Sequence, residues 1–99
     1  MPLALRWSYF TKENVSRETN NYGVYEIGNA TGILYIGEGH VYSRLMAHFA
    51  NGSEPVVGAS YYRVESTGGK EKARQRQNAE LSTYKRKYGK YPSFNQRKG

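Results

Sequence analysis

The sequence contains no cysteine and no aspartate. Without cysteine there is no disulfide framework, no thiolate zinc site and no cysteine nucleophile. Without aspartate an EF-hand loop is excluded, and a multi-carboxylate, two-metal nuclease centre is hard to assemble. All 8 acidic residues are glutamates, at positions 13, 18, 26, 38, 54, 65, 71 and 80. The two histidines, His40 and His48, are too few for a three-histidine zinc site. Leu, Ile, Val and Phe are scarce, so the core must be small. No apolar run approaches the ~20 residues of a membrane span. The opening residues Met-Pro-Leu-Ala-Leu-Arg-Trp lack the charge-then-apolar order of a signal peptide. The expected setting is cytoplasmic, with no membrane partner.

What is abundant is tyrosine and positive charge. Ten of the 14 aromatic residues are Tyr, so tyrosine rings must supply part of the core while their hydroxyls find partners. The 15 Lys+Arg against 8 Glu give a formal charge of +7. That charge is uneven. Residues 1–59 carry four basic residues and five Glu, whereas residues 60–99 carry eleven and three. The basic half also holds Tyr61, Tyr62, Tyr84, Tyr88 and Tyr91. Cations interleaved with aromatics suit a polyanion with stackable bases, so nucleic acid is the expected partner.

Length and patterning predict a single α+β domain over residues 1–99, with a lead-in over 1–21 and a core over 22–95. Residues 22–28 alternate as a strand. Residues 33–37 form a second, more apolar strand across the turn Asn29-Ala30-Thr31-Gly32. Gly37-Glu38-Gly39 is expected to break it. Val41, Leu45, His48 and Phe49 recur at helical spacing over 41–50, and Asn51-Gly52 stops that helix. A third strand is predicted over 59–65 and a long polar helix over about 70–88, ended by Gly89 and Pro92. The expected order is β-β-α-β-α, a three-stranded antiparallel sheet with helices packed on it.

Several polar residues stand out. Tyr25 and Tyr35 lie on the two hairpin strands and should approach across the sheet, though each is equally at home as a core tyrosine. Gly37 permits close approach of a ligand. Arg44 and His48 share a helix face at the edge of the buried side. Glu80 is the single acid among seven basic residues between positions 72 and 90. It reads either as a surface ion-pairing residue or as the lone carboxylate of a magnesium site. Lys72, Arg76 and Lys85 on the same helix are the candidate phosphate contacts.

Tyr22-Gly23-Val24-Tyr25 followed by Leu34-Tyr35-Ile36-Gly37 resembles the two signature elements of the GIY-YIG nucleases, with the tyrosines ten positions apart. Arg44 with His48, then Glu80, then Asn95 follow in that family's order, so the resemblance spans residues 22–95. It implies a metal-dependent endonuclease hydrolysing phosphodiester bonds of DNA or RNA with one divalent cation, Mg²⁺ or Mn²⁺. By the same resemblance Glu80 would bind the ion, and Tyr25 would help activate water. Tyr35 would hydrogen-bond around nucleophile and phosphate, and Arg44 would stabilise the phosphate. His48 would assist proton transfer, and Asn95 would orient the other groups. The alternative is a non-cleaving nucleic-acid-binding module of the same fold. A chain this short would draw target specificity from a protein partner or from substrate shape. Three departures from the family pattern are present. Val24 replaces the commoner Ile, the stretch 38–43 is one residue shorter than in many members, and Glu38 sets a negative charge beside the second motif.

Overall fold

The structure, a computed structural model, describes residues 6–95. The chain forms β1 (Ser8–Tyr9), α1 (Lys12–Val15), β2 (Tyr22–Asn29), β3 (Gly32–His40) and α2 (Val41–Ala47). β4 (Tyr61–Ser66), α3 (Lys70–Tyr88) and a 3₁₀ turn (Ser93–Asn95) follow. The fold is a small α+β domain with one antiparallel sheet in the order β1-β4-β2-β3. The sheet therefore has four strands rather than the expected three. The extra one is a two-residue edge strand in the lead-in, too short to leave an alternating pattern. α1 also lies in that lead-in, and its start is capped by Thr11, whose hydroxyl accepts from the Asn14 N–H at 3.1 Å.

β2 is the central strand and is buried along most of its length. Its side chains alternate between faces. Tyr25 and Ile27 point to one face, where they pack with Val15, Val41, Leu45, Val56 and Tyr62. Val24 lies on the other with Ile36, against Leu81 and Tyr84 of α3. The sheet is thus a partition, with α1 and α2 on one side and α3 on the other. Burial of side chains such as Ile27 and Leu45 stabilises the first side by about 1.5–3 kcal/mol each.

β3 does not stop at Gly37-Glu38-Gly39 but pairs with β2 as far as His40. These glycines serve the strand instead of breaking it. Gly37 stands opposite Tyr25, and a Cβ there would lie 2.4 Å from the Tyr25 ring and hydroxyl and 2.6 Å from the Tyr35 ring. The absent side chain is space the two tyrosines occupy. α2 is shorter than predicted and ends at Ala47, leaving His48 as its C-terminal cap. α3 spans the predicted 70–88 and ends at Gly89, which takes the left-handed conformation (φ 81°). Among the described residues, no helix is long and apolar enough to cross a membrane.

Candidate active site

On the α2 side of the sheet, four of the expected residues meet. Register pairs Tyr25 with Gly37 and Tyr35 with Ile27, so the two tyrosines are diagonal neighbours with ring centroids 6.1 Å apart. His48 packs against both, at 5.6 Å from Tyr25 and 4.9 Å from Tyr35 between centroids. It is buried, at 2% exposure, more deeply than an edge position implies.

The hydrogen bonds assign protons. His48 Nδ1 lies 2.7 Å from the Glu54 carbonyl oxygen, which only accepts, so Nδ1 carries the hydrogen. In the neutral ring Nε2 is then an acceptor. It lies 2.8 Å from the Tyr25 hydroxyl, which donates to it. Burial pushes the Tyr25 phenol far above its ordinary value of 10.0, and Tyr35 adds to the rise; Arg44 pulls the other way without prevailing. The cations of the basic half therefore do not make Tyr25 acidic. That half lies mainly on α3, across the sheet. Arg44 is one turn before His48 and one-third exposed, and its guanidinium pairs with the Glu54 carboxylate. Burial works against its charge, but Glu54 and Tyr25 together raise its pKa further.

The other expected residues lie elsewhere. Glu80 is on α3, across the sheet from Tyr25. It is 3% exposed and accepts from Arg76 Nη2 at 2.9 Å. It lines a cavity of about 140 Å³ with Glu26, Ile33, Ile36, Tyr84 and Lys87 among others. Arg76 also donates to both carboxylate oxygens of Glu65, at 3.0 and 3.1 Å, so it serves three carboxylate oxygens and not a phosphate. The Glu26 carboxylate accepts from Arg63 Nε at 2.7 Å on the same face. Burial raises the Glu26 pKa despite that contact, with Glu80 adding to the rise. The Glu65 carboxyl is instead held low by Arg76.

Asn95 is bound to backbone. Its amide accepts from Ile36 N–H at 2.8 Å and donates to Ile36 C=O at 2.9 Å, and Gln77 adds a third bond to the same carbonyl. Both ends of the Asn95 amide are thereby engaged with β3. Gly37 does not open the surface to a ligand, because Tyr25 and Tyr35 fill the room it leaves. Lys72 and Lys85 are exposed on α3, with Lys85 resting over the Tyr91 ring.

The single divalent ion implied by the resemblance does not fit this arrangement. Its carboxylate, Glu80, is buried against Arg76, and the sheet separates it from Tyr25. Among the described residues no group of three or more His, Cys, Asp or Glu could hold a metal ion. Sequence reasoning passed over Glu54, the residue that touches both Arg44 and His48. Its only mark in the sequence is the Glu-Pro step that opens a loop.

Fold and site together define a small α+β domain with a tyrosine–histidine–arginine cluster on one face and a buried ionic network on the other. The chain belongs to the family described as Domain of unknown function (DUF7508), whose model matches residues 1–85. That span includes every cluster residue but not Asn95. No curated protein and no solved structure matches the chain.

Proposed function

We propose that the domain binds a nucleic-acid phosphodiester at Arg44 and hydrolyses it with Tyr25 and His48. The observation that carries this reading is the directed proton path from Tyr25 O–H to His48 Nε2, with His48 fixed through Nδ1. The resemblance of the Tyr25 and Tyr35 motifs to the GIY-YIG nucleases and the basic character of residues 60–99 support it. A phenol whose pKa is raised by burial is a poor base unless its proton leaves as another arrives. His48 Nε2 is placed to take it. The attacking water then gives its proton to the Tyr25 oxygen while its own oxygen bonds to phosphorus. The bond to the leaving ester oxygen breaks, and that oxygen takes a proton from solvent. Arg44 neutralises the charge that builds on the phosphate, a role suited to a planar, permanently charged donor.

The test is cleavage of plasmid and of branched, nicked and linear DNA, and of RNA, with and without Mg²⁺ or Mn²⁺. Wild type is compared with Tyr25→Phe and Arg44→Ala. Cleavage lost in both variants supports the reading, and cleavage retained by Tyr25→Phe overturns it.

A second reading, a binding module that does not cleave, draws support from the separation of Glu80 from Tyr25. It predicts no cleavage in any condition, with affinity falling steeply as salt rises.

A further inference from the structure

Glu54 acts on the cluster with both its backbone and its side chain. Its carbonyl accepts from His48 Nδ1, and its carboxylate holds Arg44. Its backbone is anchored on either side. Glu54 N–H donates to Ala47 C=O at 2.9 Å, and Val56 N–H donates to His48 C=O at 3.0 Å. The loop closes at Gly52, where a Cβ would stand 2.3 Å from the Ala47 oxygen, so any larger residue would push the loop away. The Glu54 side chain, by contrast, is 53% exposed. Beneath the Arg44–Glu54 pair, Tyr25 is 0% and His48 2% exposed. In this state no substrate atom reaches the Tyr25 hydroxyl.

We propose that the Glu54 carboxylate is a displaceable internal ligand of Arg44, standing where a phosphate oxygen of the substrate binds. This inference rests on the functional reading above and deepens it. An ion pair this exposed is weak, so an incoming phosphate competes with it. Once expelled, the carboxylate leaves the guanidinium fork open to two phosphate oxygens and uncovers the path to Tyr25. His48 stays in place, because a backbone carbonyl and not the carboxylate fixes its ring. One residue is thus both the anchor of the imidazole and the latch over the site. A neutral ligand gains nothing from Arg44 that would expel Glu54, so the latch selects for anions.

The test uses inorganic phosphate, which needs no nuclease activity. It is titrated into wild type, Glu54→Gln, Arg44→Gln and the double variant, following the Arg44 Nε–H and His48 ring signals by NMR. The latch predicts a Kd about two- to fivefold lower in Glu54→Gln. It also predicts an unmoved His48 Nδ1–H signal and no such gain in the Arg44→Gln background. An equal gain in that background means general charge removal and overturns the proposal, as does unchanged or weaker binding in Glu54→Gln. Cleavage is scored separately. A latch seen with phosphate in a protein that neither cuts nor binds nucleic acid upholds this inference and removes the functional reading.

Discussion

The two faces of the sheet use polar residues in opposite ways. On the α3 face three carboxylates, Glu26, Glu65 and Glu80, meet two guanidiniums, Arg63 and Arg76. Each carboxylate there is bound by a guanidinium on the strands or on α3. On the α2 face the deeply buried polar groups are the Tyr25 and Tyr62 hydroxyls and the His48 imidazole, and the Arg44–Glu54 ion pair sits at the solvent rim. A charge already satisfied by a buried partner is costly to redirect to a ligand, because the partner is left uncompensated. A neutral donor–acceptor pair under a weak rim contact can change partners at much lower cost. The position of a residue in a motif does not decide its role; its existing commitments do.

The sharpest way to break this contrast is on the α2 face. Tyr25→Phe keeps the ring and removes the proton that His48 accepts. Cleavage should fall by about 10²–10⁴-fold, whereas stability falls by only about 1 kcal/mol for the lost hydrogen bond to His48. Single-turnover rates alongside urea unfolding separate the two effects. On the α3 face the largest effect should be on stability. Glu26→Ala leaves Arg63, whose side chain is only 14% exposed, without its carboxylate. We expect a loss of about 3 kcal/mol, at the low end for a broken buried pair because Arg63 also rests 4.3 Å from the Trp7 ring centroid. A calorimetric Tm should drop by more than about 10 °C.

Glu80→Gln probes the contrast more finely. The amide keeps an acceptor for Arg76, which also retains Glu65, so the expected loss is about 1 kcal/mol. Cleavage should stay within about threefold of wild type. A folded Glu80→Gln protein that has lost metal-dependent cleavage would join the two faces into one site and end the distinction.

The smallest effect is in the pH dependence. The folded-state pKa of Glu26 is raised above 4.5, so the folded protein holds this proton where the unfolded chain has released it. Stability from this group is present below 4.5 and is lost as pH rises through the folded value. Glu65 is shifted down and has the opposite sign: its contribution is present above 4.5 and is lost as pH falls through its folded value. Glu26→Gln should therefore compare more favourably with wild type at pH 7 than at pH 4. Paired urea titrations at the two values read this difference.

Much of the framework was legible in the sequence. The end of the helix over 70–88 is announced by Gly89 and Pro92, and the hairpin by an alternating strand and a more apolar one on the two sides of Asn29-Ala30-Thr31-Gly32. The glycines of β3 misled, because a gap filled by a neighbour's ring looks, in sequence, like a break. The four-residue spacing of Arg44 and His48 sets them one turn apart, but burial of His48 depends on a loop that returns over it. Glu80 stands out in the sequence as the lone acid among seven basic residues, and in the fold it is buried against Arg76. Which face of the sheet α3 covers is settled by its crossing, and spacing along one helix carries no trace of it. Glu54 reaches its partners through a tertiary contact across ten residues and had no local pattern to reveal it.

The Asn95 amide has a consequence for the protein at high concentration. β3 is an outer strand, and an uncovered outer strand invites a second chain to extend the sheet. At Ile36 that invitation is withdrawn: one side-chain amide imitates a passing strand on both the donor and the acceptor, and Gln77 doubles it on the acceptor. At the opposite border β1 is two residues long and gives a newcomer little to grip. At the β3 border the protein's own side chains thus stand where a fifth strand would pair, a safeguard against fibrous self-association.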